Sequence, residues 1–231
     1  MLNRCWITEF FKHCFFLISF MLASLQINAE SFSEIRMSSE NIKIIIDNNK
    51  AYVHVSFNYS GQFEIPNTIA FPETYWYFLD NFKVYFNNSI LKTKKVKAPL
   101  GRVFIINNDS YPSIYSFSFP PDKSIYNNAI VTYSYKLKCH IPSNKDLYDN
   151  KENFTGKYIE YILKTGAPWK DTIGSIHAEI IFSNNKCEDI TNFTDGYVGK
   201  CINSRTWVLD KKDIEPTKNI RLLLKDSKCK L

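Results

Sequence analysis

The sequence predicts an all-β protein, an antiparallel β-sandwich, and three observations carry that reading. Runs of alternating apolar and polar residues recur along the chain, while almost nothing shows a helical period. Turn residues, chiefly Asn, Asp, Gly and Pro, separate these runs at the short spacing expected of sandwich strands. Val, Ile, Tyr and Phe fill the strand positions, and aromatic residues reach 16% of the 231, a composition suited to packing on pleated, half-buried surfaces.

The first segment is read as separate from the fold. In residues 1–29, Arg4 and Lys12 precede an apolar run from Cys14 to Leu25, and Ala29 is a small residue at the end. This is the outline of a secretory signal peptide. The run falls short of the roughly 20 residues that a spanning helix needs, so an uncleaved anchor is the weaker reading, and no stable membrane insertion is expected once the leader is cleaved. Neither Cys5 nor Cys14 lies in a lipid-attachment pattern. A free protein, periplasmic or secreted, is therefore expected.

The strands come next, in order. Ile42 to Ile46, a turn at Asp47-Asn48-Asn49, and Val53, Val55, Phe57 and Tyr59 read as a hairpin. Ile69 and Phe71 form a short strand that Pro72 is expected to stop. Phe82, Val84 and Phe86 run to Asn87-Asn88-Ser89 and return from Ile90 to Lys95 as a second hairpin. Val103 to Ile106 is a compact apolar run, and Tyr115, Phe117 and Phe119 share a face before Pro120-Pro121. Ala129 to Ile141 is the longest candidate strand.

Residues 143–156 are polar and without period, and read as a loop or linker between an N-terminal β subdomain, 30–142, and a C-terminal one, 157–231. One extended sandwich and two packed subdomains both fit. Tyr158 to Phe182 reads as a central hairpin whose loop holds Gly166, Pro168 and Gly174, the glycines supplying positive φ. Thr206 to Leu209 and Ile220 to Leu224 close the chain.

Charge and cysteines narrow the class. Without Arg4, Lys12 and Glu9 the remainder carries 27 basic and 22 acidic residues, a mild net +5. Lys92, Lys94, Lys95 and Lys97 read as a solvated strand edge that discourages unwanted pairing, and no nucleic-acid partner is expected. Of the six cysteines, Cys139, Cys187, Cys201 and Cys229 lie beyond the leader. An even number in an exported chain argues for two disulfides. Spacing favours Cys187 with Cys201, then Cys139 with Cys229; the other two connectivities stay open on sequence alone. No Cys-x-x-Cys pair is present, so no metal is expected, and no motif calls for a cofactor.

The residues 161–169, YILKTGAPW, followed by Thr172-Ile173-Gly174 and an alternating apolar run, resemble the signature of the bacterial exported domain of unknown function family 4424. Ile35, Met37, Ser39, Glu40 and Ala70-Phe71-Pro72 resemble its amino-terminal block, and Asp213 to Leu224 its closing segment. Pro168 stands where that family usually has asparagine, and Asp171-Thr172 where it usually has glycine-proline. The resemblance implies an exported β-rich protein and brings no established activity.

Candidate binding residues are Trp169, in the Gly-bounded loop, and Tyr75, Trp76 and Tyr77, in a run of four rings that cannot all face one side of a strand. Packing is the bland reading of each; contact with an envelope protein or a glycan is the functional one. No nucleophile elbow and no helical histidine pair occurs, so no catalytic residue is assigned and the balance is against an enzyme. The reading is a non-catalytic binding or structural module of the cell envelope. The alternative is a hydrolase acting on surface polysaccharide, with Glu160 and Glu179 facing each other across the central hairpin as an acid and base.

Overall fold

A computed structural model of the chain describes residues 35–63, 67–74, 77–106, 109–140, 156–163, 172–192, 196–226 and 229. The leader, most of 143–156, and Gly166, Tyr75, Trp76 and Trp169 lie outside the described residues.

The strands are β1 (Arg36–Asp47), β2 (Lys50–Ser60), β3 (Asn67–Glu73), β4 (Asp80–Phe86), β5 (Ser89–Leu91), β6 (Lys94–Lys97), β7 (Phe104–Ile106), β8 (Asp109–Tyr111) and β9 (Ser113–Phe119). After these come β10 (Tyr126–Lys136), β11 (Cys139–His140), β12 (Gly156–Tyr161), β13 (Ile173–Phe182), β14 (Ile190–Asn192), β15 (Lys200–Asn203), β16 (Thr206–Ile214) and β17 (Ile220–Lys225). A short 3-10 turn at Cys187–Asp189 is the one helical element among the described residues.

An eight-stranded sheet, ordered β15-β16-β13-β1-β2-β10-β4-β5, forms one layer. Smaller sheets lie against it, β11-β12-β17-β14 and β3-β9-β6, and β7 pairs with β8. Pairing is antiparallel except for β1 with β13. Alternation puts Ile42, Ile44 and Ile46, Val53 and Val55, Val131, Tyr133 and Tyr135, and Ile180 and Phe182 on the inner face. They share one core with Phe71 and Phe117 from the three-stranded sheet and Ile159, Tyr161 and Leu222 from the four-stranded one. Two stacked layers around a buried seam are a β-sandwich. Strands from both sides of 143–156 meet in its large sheet, since β1 is flanked by β2 and β13.

The asparagine turns fall where expected. Phe86 faces Ser89, so Asn87-Asn88 is a two-residue loop, and both residues have positive φ, 46° and 67°. That is the geometry whose twist matches a hairpin, and asparagine tolerates it better than most side chains.

Four expectations need correction. The stretch Tyr158–Phe182 is not a hairpin: β12 pairs with β11 and β17, and β13 with β1 and β16. The cause is burial on both faces of β12. Ile159 and Tyr161 enter the main core, while Ile162, just beyond the strand, packs with Phe104, Tyr111 and Ile114. Pro72 does not stop β3 but pairs with Ile114 within it. β3 is an edge strand, where a missing amide hydrogen costs no ladder bond. The return of the second hairpin ends at Leu91, and Lys94–Lys97 crosses as β6 to the other layer, where it pairs with β9.

Gly174, finally, sits inside β13 and is needed for closeness. A Cβ there would stand 2.6 Å from the Ser38 carbonyl oxygen of β1, too near for any side chain.

Candidate functional site

Glu73 closes β3 with a carboxylate that is fully buried. Its Oε1 accepts from the Leu79 N–H at 2.7 Å and from Lys95 Nζ at 2.8 Å, and its Oε2 accepts from Ser113 Oγ. Tyr115 Oη donates to the Leu79 carbonyl at 3.1 Å. A carboxylate has about four acceptor positions, so this one side chain draws together both ends of the segment 73–79 and fastens them to β6 and β9. Phe78, 54% exposed, is displayed on the closed loop. Lys95 Nζ and Lys138 Nζ stand 5.6 and 5.1 Å from its ring centroid, within cation–π range.

Tyr77 points the other way and is core. It is 3% exposed and stacks on Tyr135 with ring centroids 4.2 Å apart. Both phenols donate to the Glu160 carbonyl, at 3.4 and 3.2 Å, and so tie the two layers together. The expected contact role of Tyr77 therefore gives way to packing, while its neighbour Phe78 faces out. Tyr75, Trp76 and Trp169, the other binding candidates, fall outside the described residues. Sequence reasoning missed Phe78, although it placed some of the four rings in solvent, and it missed Glu73, because a glutamate after a proline reads as an ordinary strand end.

Glu160 and Glu179 do not face each other. Glu160 lies in β12, 2% exposed, and its Oε1 accepts from Arg221 Nε at 2.7 Å and from Asn219 Nδ2 at 3.4 Å. Burial raises its pKa, against the opposing pull of Arg221, Asn219 and Tyr158. Glu179 belongs to β13 in the other sheet and pairs with Lys43 at 3.8 Å. The two carboxylates a glycosidase needs around one bond are thus divided between the layers.

A third glutamate is turned inward by an irregularity in β1. The register with β2 passes from Met37 opposite Tyr59 to Ser39 opposite Asn58, skipping Ser38. One extra residue reverses the face of every later position in the strand, and Glu40 joins Met37 and Ile42 in the interior, 2% exposed. Tyr161 Oη donates to its Oε1 at 2.6 Å. Glu40 lines a cavity of about 40 Å³ together with Met37, Phe57, Tyr59, Ile69, Ala70, Phe71, Phe117, Phe119 and Val131. Burial pushes its pKa from 4.5 up to about 7, opposed by the Tyr161 bond.

That shift predicts a pH-dependent stability. The folded protein holds the Glu40 proton more tightly than the unfolded chain does. The contribution is therefore full below about pH 4.5, declines as pH rises, and is gone above about 7. Glu40→Gln should be more stable than the native chain by about 3 kcal/mol at pH 8, with the gain shrinking toward zero near pH 4.5. Urea unfolding at the two pH values measures this, and a difference independent of pH would rule out a buried titrating acid.

Cys139 is bonded to Cys229 and Cys187 to Cys201, the pairing favoured by spacing. No described helix is long and apolar enough to cross a membrane, and among the described residues no group of His, Cys, Asp and Glu is arranged to hold a metal ion.

Fold and bonds together define a disulfide-linked antiparallel β-sandwich, a construction that persists in oxidising compartments. The chain matches no family model and no curated protein. A solved structure shares its fold. A Legionella pneumophila protein designated "putative nutrient binding protein" is 19% identical, the match covering 83% of this chain and 67% of that one with a TM-score of 0.56. Yeast LTA4 hydrolase in complex with bestatin is 8% identical over 89% of this chain and 32% of its own, with a TM-score of 0.48. An M1 zinc metallopeptidase from Deinococcus radiodurans is 6% identical over 82% and 42%, with a TM-score of 0.38. The chain spans about a third of the yeast protein and two thirds of the Legionella one. At 19% identity the likeness to the Legionella protein concerns the fold alone.

Proposed function

We propose that the chain is an exported, non-catalytic module that binds an envelope partner, protein or glycan, through the aromatic loop after β3. The observation that carries this is the Glu73 clamp, which spends a buried carboxylate on holding Phe78 in solvent between Lys95 and Lys138. An exposed ring flanked by two cations offers a partner both apolar contact area and positive charge. Flanking ammonium groups add hydrogen-bond donors for sugar hydroxyls or acidic side chains. In sequence, Tyr75 and Trp76 precede Phe78 by three and two positions, and such rings supply contact area at little entropic cost. The designation of the Legionella protein, the disulfides and the resemblance to the exported family 4424 agree with this reading.

The test is binding of the chain to envelope fractions and to a glycan array, which separates the two partner classes. Phe78→Ala should weaken saturable binding tenfold or more, equivalent to about 1.4 kcal/mol, while thermal unfolding stays within a degree or two of the native chain. Equal binding by the native chain, Phe78→Ala and Trp76→Ala, or saturable binding to neither class, would remove the loop from consideration.

A further inference from the structure

We propose that the cavity at Glu40 is a binding site for a small organic ammonium ion, with the carboxylate meeting its charge and the surrounding rings its faces. The site is separate from the loop at Phe78 and does not depend on that loop having a partner. Glu40 is the one charged residue in the lining, and the other lining side chains are aliphatic, aromatic or thioether, with the Tyr59 phenol the other polar group. Without a lysine, arginine or histidine there, the ionised carboxylate has the Tyr161 hydrogen bond but no counter-charge in the lining. With an apolar guest the buried carboxyl neutralises itself by taking up a proton, whereas a cationic guest meets the ionised form with the charge the lining lacks.

Rings decide in favour of a cation. Phe57, Tyr59, Phe71, Phe117 and Phe119 line the same space, and aromatic faces attract ammonium groups most strongly where water is excluded. Hard metal ions are the poorer fit, because calcium takes six to eight oxygen ligands and magnesium a near-ideal octahedron, whereas this lining offers one carboxylate and one phenol. About 40 Å³ admits a guest of a few heavy atoms and excludes a sugar. Ile69 and Ala70 are the half-buried members of the lining, so access runs along the edge strand β3.

The groups that titrate against Glu40 are the phenols of Tyr59 from β2, Tyr133 from β10 and Tyr161 from β12, all pushed further above the usual phenol range by burial and by the carboxylate. They stay protonated at any pH the fold meets. Glu40 alone therefore sets the charge of the site, and an ammonium guest binds its ionised form. Below pH 7 binding must expel a proton, and affinity falls accordingly.

Calorimetric titration of the full chain with methylammonium chloride, against sodium chloride at equal ionic strength, tests this. One saturable site is expected at pH 8, with affinity at least tenfold lower at pH 5.5. Glu40→Gln, confirmed folded by circular dichroism, should abolish the site, and Phe78→Ala should leave it unchanged. No saturable binding at pH 8 overturns the proposal, as does binding that is equal at both pH values or retained in Glu40→Gln. The native pH comparison needs no variant, and failure at Glu40 with loop binding intact leaves the envelope-binding reading standing.

Discussion

Arg221→Met is expected to destabilise the protein by about 3–5 kcal/mol at neutral pH, the penalty for stranding one half of a buried ion pair. Glu160 and Arg221 are direct partners in the register of β12 and β17, and the 2.7 Å bond from Nε crosses between the strands. The carboxylate is 2% exposed against 29% for the arginine side chain, so removal of the arginine leaves the charge inside and its water outside. Methionine keeps an apolar stem of similar length, so the charge and the hydrogen bonds of the guanidinium are removed while much of the side chain's bulk stays.

The penalty should depend on pH with a defined sign. Burial already raises the pKa of Glu160, and the charge of Arg221 is the strongest pull against that rise. Without it the acid takes up its proton at higher pH, so the variant is least impaired in acid and progressively more so as pH climbs. Glu160→Gln combined with Arg221→Met should recover most of the loss, because a neutral amide still accepts from Asn219. Urea unfolding at pH 5 and pH 8 measures all three. A single Arg221→Met variant within about 1 kcal/mol of the native chain at pH 8 would show that the pair is solvated in a way its burial does not indicate.

The sequence exposed strands better than their partners, for a reason visible in β13. Period-two alternation at Ile176, Ala178, Ile180 and Phe182 marks a half-buried strand whatever stands beside it. Its neighbour is β1, where Ile44 faces Ile180, and nothing local announces a partner so distant in sequence. Hairpins with two-residue asparagine turns were legible because turn and pairing are one local event. Tyr158–Tyr161 was not, since an apolar run buried on both faces is compatible with either layer.

The candidate sites divide along the same line. The inward turn of Glu40 depends on one skipped residue at Ser38, and a slip of one reverses every face beyond it. Glu73 was hidden because its meaning lies in Lys95, Ser113 and the Leu79 amide, which three different segments supply. The Lys92–Lys97 cluster has the composition of a solvated edge, and β6 is an edge strand. Lys95 departs from that reading by turning back onto Glu73 and the Phe78 ring.

Replacing the pair Cys139 and Cys229 with alanine is expected to cost about 4–5 kcal/mol, more than the roughly 3 expected for Cys187 and Cys201, because the first closes the longer loop. The sequence separations are 90 and 14, and loop-closure entropy grows with the logarithm of that length. Contacts around the longer link do not vanish with it. β11 remains paired with β12, the Tyr158 N–H still donates to the Lys138 carbonyl at 3.0 Å, and Lys157 still meets Asp226 just before the tail. The loss therefore falls on the unfolded chain, which regains freedom between β11 and the C-terminal residues.

That origin separates it from a packing defect. The folded double variant should keep the near-ultraviolet circular dichroism of the native protein while its unfolding midpoint drops. Adding a reductant to the native chain should produce the same drop, once peptide mapping confirms that the Cys139–Cys229 bond has opened. If opening Cys187–Cys201 costs as much or more, chain entropy is not the governing term. The short link would then act through native packing around Cys187, which is 1% exposed and bridges the 3-10 turn to β15.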